Sequence, residues 1–205
     1  MKIENLYFLT TNKKKAEDFT HFGLGVKEFH EEVPEVLSAD VETVVLYKAK
    51  DTGLNNIVVE DTSLEVEGAD FFGTQIKHVY EEVKDDSSFN GKKAQWKVSI
   101  CMKIDENYYI STGSLEGILK YPALDRGYHF DRIFSVLKGD NYVQFELLTH
   151  EEKIECGPRF QALKKLTQAI KNNDYSQLLK VKEESIPMWQ GDYQIEKEAP
   201  KLKLI

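Results

Sequence analysis

Apolar positions follow a helical rhythm in the first part of this chain and an extended one in the middle. Residues 3–9 are apolar and aromatic, and Thr10-Thr11-Asn12 supplies side-chain acceptors suited to capping a helix. Residues 13–22 then read as helical until Gly23 and Gly25 stop them, which gives strand, turn, helix. After a short strand at 26–29 and an acidic loop, Asp40 caps a second predicted helix. Its apolar positions are Val41, Val44 and Val45, and it ends near Gly53. Ile57-Val58-Val59 reads as a buried strand that Leu64-Glu65-Val66 continues after a polar step. Phe72, Ile76, Val79, Tyr80 and Val83 recur at helical spacing, which predicts an amphipathic helix over 71–83 and a polar loop at 85–90.

From Trp96 the period becomes two. Trp96, Val98, Ile100 and Met102 alternate with Lys97, Ser99, Cys101 and Lys103, and Asp105-Glu106-Asn107 turns the chain into a second strand running towards Ile118. Val143, Phe145 and Leu147 alternate again, and 160–170 is the last clear helix. Beyond Asn172 the chain is charged and aperiodic, with Pro187 and Pro200. The reading is therefore one body over 1–172 and a C-terminal extension over 173–205, laid on the surface or partly mobile. Helices alternating with strands early, followed by a hairpin, make the class α/β with a mixed sheet.

Composition narrows the function classes. The 205 residues suit one domain with an appendage, and 41% hydrophobic against 30% charged residues excludes wholesale disorder. No apolar run reaches the roughly 18 residues a membrane span needs, and the N-terminal run is too short for a secretory signal, so a cytoplasmic protein is expected with no membrane partner. A formal charge of −8 argues against binding duplex nucleic acid, so any nucleotide contact has to be local. Cys101 and Cys156 lie far apart and read as idle thiols.

Four features depart from an ordinary charged surface. Lys13, Lys14 and Lys15 occupy the first turn of a helix, where the helix dipole favours acids. With free backbone N–H groups and capping hydroxyls beside them, they make a site for a polyanion such as a triphosphate. Lys48 falls on the apolar stripe of the second helix, seven residues after Val41, so its ammonium either snorkels to the rim or meets an anion in a cleft. Glu60-Asp61 directly follows an apolar strand. Adjacent side chains on a strand point to opposite sides, and hard oxygen ligands there suit Mg²⁺, to which Glu35 in the acidic 31–35 loop adds another. Finally, Arg126, Arg132 and Arg159 are the only arginines, and Tyr128, Phe130 and Phe134 lie among them, so the segment 126–134 offers stacking surface beside forked donors. Solvated charge and core aromatics are the plain alternatives for each feature.

Dinucleotide and Walker-type glycine motifs, zinc-spaced histidines and a G-x-S-x-G elbow are all missing from the sequence, leaving carboxylates, lysines and a hard cation.

The order of these pieces resembles the inosine triphosphate pyrophosphatase family, over about residues 6–166. Thr10, Asn12 and Lys15 match its T-x-N-x-x-K opening, and Lys48-Ala49 its helix ending in K-A. Val59-Glu60-Asp61-Thr62-Ser63-Leu64 is similar to its acidic strand end, Pro34-Glu35 to its metal-holding glutamate loop, Gly73-Thr74-Gln75-Ile76-Lys77 to its G-x-x-I-K, and Glu116-Gly117-Ile118 to its small-G-x-I strand. The resemblance implies an elongated mixed sheet in two lobes around a central cleft, a homodimer, Mg²⁺ as cofactor, and hydrolysis of non-standard purine nucleoside triphosphates to monophosphate and pyrophosphate. It implies that Lys48 acts with Glu60 and Asp61 in catalysis, that Glu35, Glu60 and Asp61 hold metal, and that Thr10, Asn12, Lys15 and Lys77 bind substrate phosphates. Tyr128, Phe130, Asp131, Lys153 and Arg159 would form the base pocket.

The base-reading motifs are altered. F-G-[WY]-D-P-x-F stands here as Tyr128-His129-Phe130-Asp131-Arg132-Ile133-Phe134, and K-N-x-x-S-H-R as Lys153-Ile154-Glu155-Cys156-Gly157-Pro158-Arg159. Two other readings therefore stand beside the first: a silent nucleotide-binding or interaction module, and a pyrophosphatase with changed base specificity.

Overall fold

The computed structural model describes residues 6–10, 13–30, 33–127 and 129–194, and the side chains of all of these but 13 and 14. Asn12 and Tyr128 lie outside the described residues.

A single mixed sheet organises the molecule. Strands β1 (Leu6–Leu9), β2 (Val26–Phe29), β3 (Ile57–Val66), β5 (Lys93–Ile104), β6 (Asn107–Leu119), β7 (Phe134–Lys138) and β8 (Asn141–Gln144) lie in the order β2-β1-β3-β5-β6-β7-β8. Strand β4 (Ala69–Gly73) pairs with β3, and β9 (Leu179–Lys182) with β6. The β1–β2 and β1–β3 pairs are parallel and all the others antiparallel.

Period two sorts the central strands between two cores. Phe8, Val58, Ile100 and Met102 face one core, with Phe19, Tyr80, Leu163 and Leu166. Leu9, Ile57, Val59 and Cys101 face the other, with Val44, Val45 and Tyr47. Helices α1 (Lys13–His21), α3 (Ile76–Val83) and α5 (Pro158–Asn172) cover the first face, and α2 (Val41–Asp51) the second. Asp40 caps α2 by accepting hydrogen bonds from the backbone N–H groups of Glu42 (3.3 Å) and Thr43 (3.0 Å). The short α4 (His150–Cys156) begins in a capping box between Thr149 and Glu152, and Pro158 starts α5 at once. Gly113 lets α5 lie close on β6, since a Cβ there would come within 2.0 Å of the Pro158 carbonyl.

Three expectations need correcting. The helix predicted over 71–83 starts at Ile76, because Phe71 and Phe72 belong to β4, whose pairing with the edge of β3 at Val66–Ala69 and Leu64–Gly73 outweighs the helical spacing. The alternation at Val143, Phe145 and Leu147 is strand only as far as Gln144 and then becomes a 3₁₀ turn. The segment after Asn172, read as aperiodic, contributes β9 to the sheet and Ile186 to the second core. Cys101 is buried and Cys156 half-buried. Burial pushes both thiols up, as expected of idle groups.

Candidate active site

The site arises from a gap in sheet pairing. β1 pairs with β3 only as far as Val58, and β4 takes up the same edge of β3 only from Leu64. Among the described residues, 59–63 therefore have no strand partner on that edge, between the end of β1 and the end of β4, and a cavity opens there. Side-chain alternation splits the adjacent acids. Glu60 leaves on the face of α1 and α5, and Asp61 on the face of α2.

Each acid meets cations from the helices on its own side. Lys15 from α1 reaches Glu60 at 3.0 Å, and the Glu60 side chain is 0% exposed. The Arg159 guanidinium donates from Nε to both Glu60 oxygens (3.0 and 3.2 Å) and from Nη2 to Oε1 (3.1 Å). Its Nη1 donates to Asp18 at 3.2 Å. Burial alone would raise the Glu60 carboxyl, but Arg159 and then Lys15 outweigh it and hold it at about 2. Burial likewise opposes charge on Arg159, and Glu60 and Asp18 hold its pKa well above the ordinary value.

Across the sheet, the Lys48 ammonium bridges Glu35, to which it donates a short hydrogen bond, and Asp61 at 3.5 Å. Burial raises the Asp61 carboxyl against the pull of Lys48, and Glu35 adds to the rise. One Asp61 oxygen accepts from the Thr62 backbone N–H at 2.7 Å. Glu35 is also desolvated, yet Lys48, with Lys77 and Lys15 further off, brings its carboxyl below the usual range. Burial would lower the Lys48 pKa, and the two carboxylates raise it instead.

The other end of the cavity is aromatic. Trp96 donates from Nε1 to the Thr62 hydroxyl (2.8 Å) and meets the edges or faces of Phe130, Phe134 and Phe145 at centroid distances of 5.1, 5.8 and 4.9 Å, nearly perpendicular. His129, at φ 45°, stacks on Tyr80 at 5.6 Å.

Of the residues singled out from sequence, Thr10, Lys15, Glu35, Lys48, Glu60, Asp61, Lys77, Phe130, Asp131 and Arg159 line this one cavity. Lys153 is not among the lining residues. It reaches Glu146 at 3.0 Å and lies over the Phe145 ring. Glu60, expected to share in holding metal, has both oxygens committed to Arg159 and Lys15. Arg159, expected to read the base, spends its fork on Glu60 and Asp18. Sequence reasoning passed over Asp18, Trp96 and Gln194. Asp18 stands three residues after Lys15 on α1, a spacing that places both on one helix face. Trp96 reads locally as an alternating strand residue, and its pairing opposite Leu64 brings it to the site.

Among the described residues no cluster of three or more His, Cys, Asp or Glu side chains is arranged to hold a metal ion. Glu35 and Asp61 nevertheless face the cavity together, and Mg²⁺ is commonly held by one or two carboxylates plus substrate phosphates and water, so this donor set fits it.

The Ham1 family model matches residues 6–169. Among solved structures the chain is similar to a HAM1 protein from Coxiella burnetii, with 22% identity and a TM-score of 0.59 over 82% of this chain and 98% of that one, a likeness of fold. No curated protein matches the chain.

Proposed function

The chain belongs to the Ham1 family of nucleoside triphosphate pyrophosphatases, and from that premise we propose that it is a Mg²⁺-dependent hydrolase cutting nucleoside triphosphates, non-standard purine nucleotides among them, to monophosphate and pyrophosphate. One observation carries this reading. Lys15, Lys48 and Lys77, from three separate helices, converge with Glu35 and Asp61 on a single cavity.

Such a reaction needs positioning and charge neutralisation more than covalent chemistry from the protein. Lys15 and Lys77 bind the phosphates at the carboxyl end of β1, where Thr10 also lines the cavity. Asp61 takes a proton from the water that attacks the α-phosphorus, and its raised carboxyl is better suited to that than an ordinary aspartate. Glu35 and Asp61 would hold Mg²⁺, which would supply charge neutralisation at the phosphates. Lys48 holds the two carboxylates together and turns to a phosphate oxygen when substrate is present. Glu60 does not bind metal in this reading. It fixes Lys15 and Arg159.

Trp96 and Phe130 wall the base, with Asp131 as its polar contact. The diversion of Lys153 to Glu146 favours a changed base selectivity as a second reading. A homodimer in the cytoplasm stays part of the proposal. Among the described residues no helix is long and apolar enough to cross a membrane.

A panel of standard and non-standard nucleoside triphosphates with Mg²⁺, followed by pyrophosphate release, tests the reading. Turnover of at least one member with one pyrophosphate per monophosphate is expected. No turnover of any member overturns it.

A further inference from the structure

We propose that residues 179–194 form a strap that positions Glu35, with Trp189 and Gln194 as positioning residues for the cation-binding carboxylate. This rests on the role given above to Glu35. The strap lies wholly beyond residue 169, where the family match ends, so it is an addition of this chain to the shared fold.

The strap is anchored at its start. β9 pairs with β6 from Ile110–Leu179 to Asn107–Lys182, and Glu183 takes a 3.2 Å ion pair from Lys103, whose side chain is 6% exposed. Ile186 enters the core beside Val36 and Val44. The Tyr47 hydroxyl donates to the Pro187 carbonyl at 3.0 Å, and Lys50 donates to the carbonyls of Ile186 and Pro187, each at 3.2 Å. The Trp189 ring then sits edge-on to Tyr47 at 5.0 Å, and its Nε1 donates to the Asp192 carbonyl at 2.9 Å. A Cβ on Gly191 would come within 2.8 Å of that indole, so the turn closes tightly against the ring.

The far end of the strap holds the Glu35 loop by its backbone. The Leu37 N–H donates to the Asp192 carbonyl (2.8 Å), Val36 bridges Tyr193, and the Gln194 N–H donates to the Glu35 carbonyl (2.7 Å). The Gln194 side chain adds a bond to the Val36 carbonyl at 3.3 Å and reaches the cavity wall. On the other side, the Thr74 hydroxyl holds the Ser38 carbonyl at 2.6 Å. The loop between β2 and α2 is thus pinned from both flanks, and the flank carrying Glu35 belongs to the strap. A functional carboxylate has to be held to within about half an ångström to work, which a loop fixed only at its ends does not achieve. Trp189 is absent from the cavity lining, so its influence on the site runs through the strap.

The test uses the full chain and three variants, Trp189→Ala, Trp189→Phe and Gln194→Pro. The last removes the N–H that holds the Glu35 carbonyl. Mn²⁺ binding in the presence of inorganic pyrophosphate is measured by calorimetry, together with the Mg²⁺ dependence of turnover and the melting temperature. Trp189→Ala and Gln194→Pro are expected to weaken Mn²⁺ binding about tenfold and raise the Mg²⁺ requirement to match, with kcat restored at saturating Mg²⁺. Trp189→Phe, which keeps the ring on Tyr47, is expected to bind Mn²⁺ like the natural protein. Unchanged Mn²⁺ affinity in both Trp189→Ala and Gln194→Pro overturns the proposal, even if melting falls. Should Trp189→Ala fail to fold, Gln194→Pro is read against Gln194→Ala, which loses the same side chain from the cavity wall but keeps the N–H to Glu35: a larger loss of Mn²⁺ affinity in the proline variant supports the strap, and an equal loss overturns it. A natural protein that hydrolyses no triphosphate sinks the proposed function, while the Mn²⁺ titration still decides the strap.

Discussion

The two ends of the cavity are built on opposite principles. At the acid end each of the three carboxylates already has a cation of the protein against it, with Lys48 between Glu35 and Asp61 and Glu60 between Lys15 and Arg159. At the aromatic end Trp96 packs edge to face against Phe130, Phe134 and Phe145, and its indole N–H donates to the Thr62 hydroxyl. In the proposed reaction the acid end would exchange internal partners for phosphate and cation, so its energetics are electrostatic and its failures large. The aromatic end is built mainly of packed rings, with His129 and Asp131 as the polar side chains beside them.

The sharpest way to break this contrast is Asp61→Asn. The substitution keeps shape and removes the proton acceptor, so kcat is expected to fall about 10²–10⁴-fold while nucleotide affinity changes far less. Single-turnover kinetics beside calorimetric binding separate the two. Equal losses in both would make Asp61 a binding group and would erase the special standing of this end.

Next comes Arg159→Met, which leaves Glu60 sealed with Lys15 as its remaining charge partner. A loss of about 3–5 kcal/mol in denaturant unfolding is expected, because one member of a buried pair is removed and the other stays. A pH series sharpens the point. In the natural protein Glu60 has its carboxyl lowered from 4.5 to about 2. The stability it contributes is therefore fully present above pH 4.5 and disappears as pH falls towards 2, on the order of 3 kcal/mol in all. Arg159→Met raises the folded-state value and should flatten that acid limb. An unchanged limb would mean that Lys15 alone holds Glu60.

Trp96→Phe probes the aromatic end at moderate cost. The ring stack survives and the Thr62 hydroxyl loses its donor, so a loss of about 1 kcal/mol is expected. It should surface as a several-fold rise in KM at nearly constant kcat, whereas a fall in kcat would tie Trp96 to the chemistry of the acid end.

The same contrast explains how much was legible in advance. Lys48 betrayed itself as a charge on an apolar stripe, and Glu60-Asp61 as two acids after a strand of buried valines. Such local violations are readable because burial makes them costly. What was not readable depended on partners distant in sequence. Phe72 fits both a period of two and a period of 3.6, and it is the edge of β3 left open by β1 that draws residues 69–73 into a strand. The resemblance casts Arg159 as a base reader, but its partners Glu60 and Asp18 lie 99 and 141 residues away. The extension looked aperiodic because β9 lies on the outer side of β6 and its residues are mostly exposed, so no alternation of burial was written into it.

Lys153→Met gives the smallest expected effect and the finest test of the comparison. The Lys153–Glu146 pair is about a quarter exposed on each side, and ion pairs of that kind contribute roughly 0–1 kcal/mol. The ammonium bonds the Glu146 carboxylate and carbonyl and lies over the Phe145 ring at 5.7 Å, partly exposed contacts of modest strength, and methionine keeps an apolar stem of similar length. Stability and the ranking of triphosphates in the panel should both stay within about twofold of the natural protein, since 0.4 kcal/mol is roughly a factor of two. A reordering of base preference would show that Lys153 leaves Glu146 and swings into the cavity when nucleotide binds. The aromatic end would then share the habit of the acid end, holding its charge on an internal partner until the ligand takes it over.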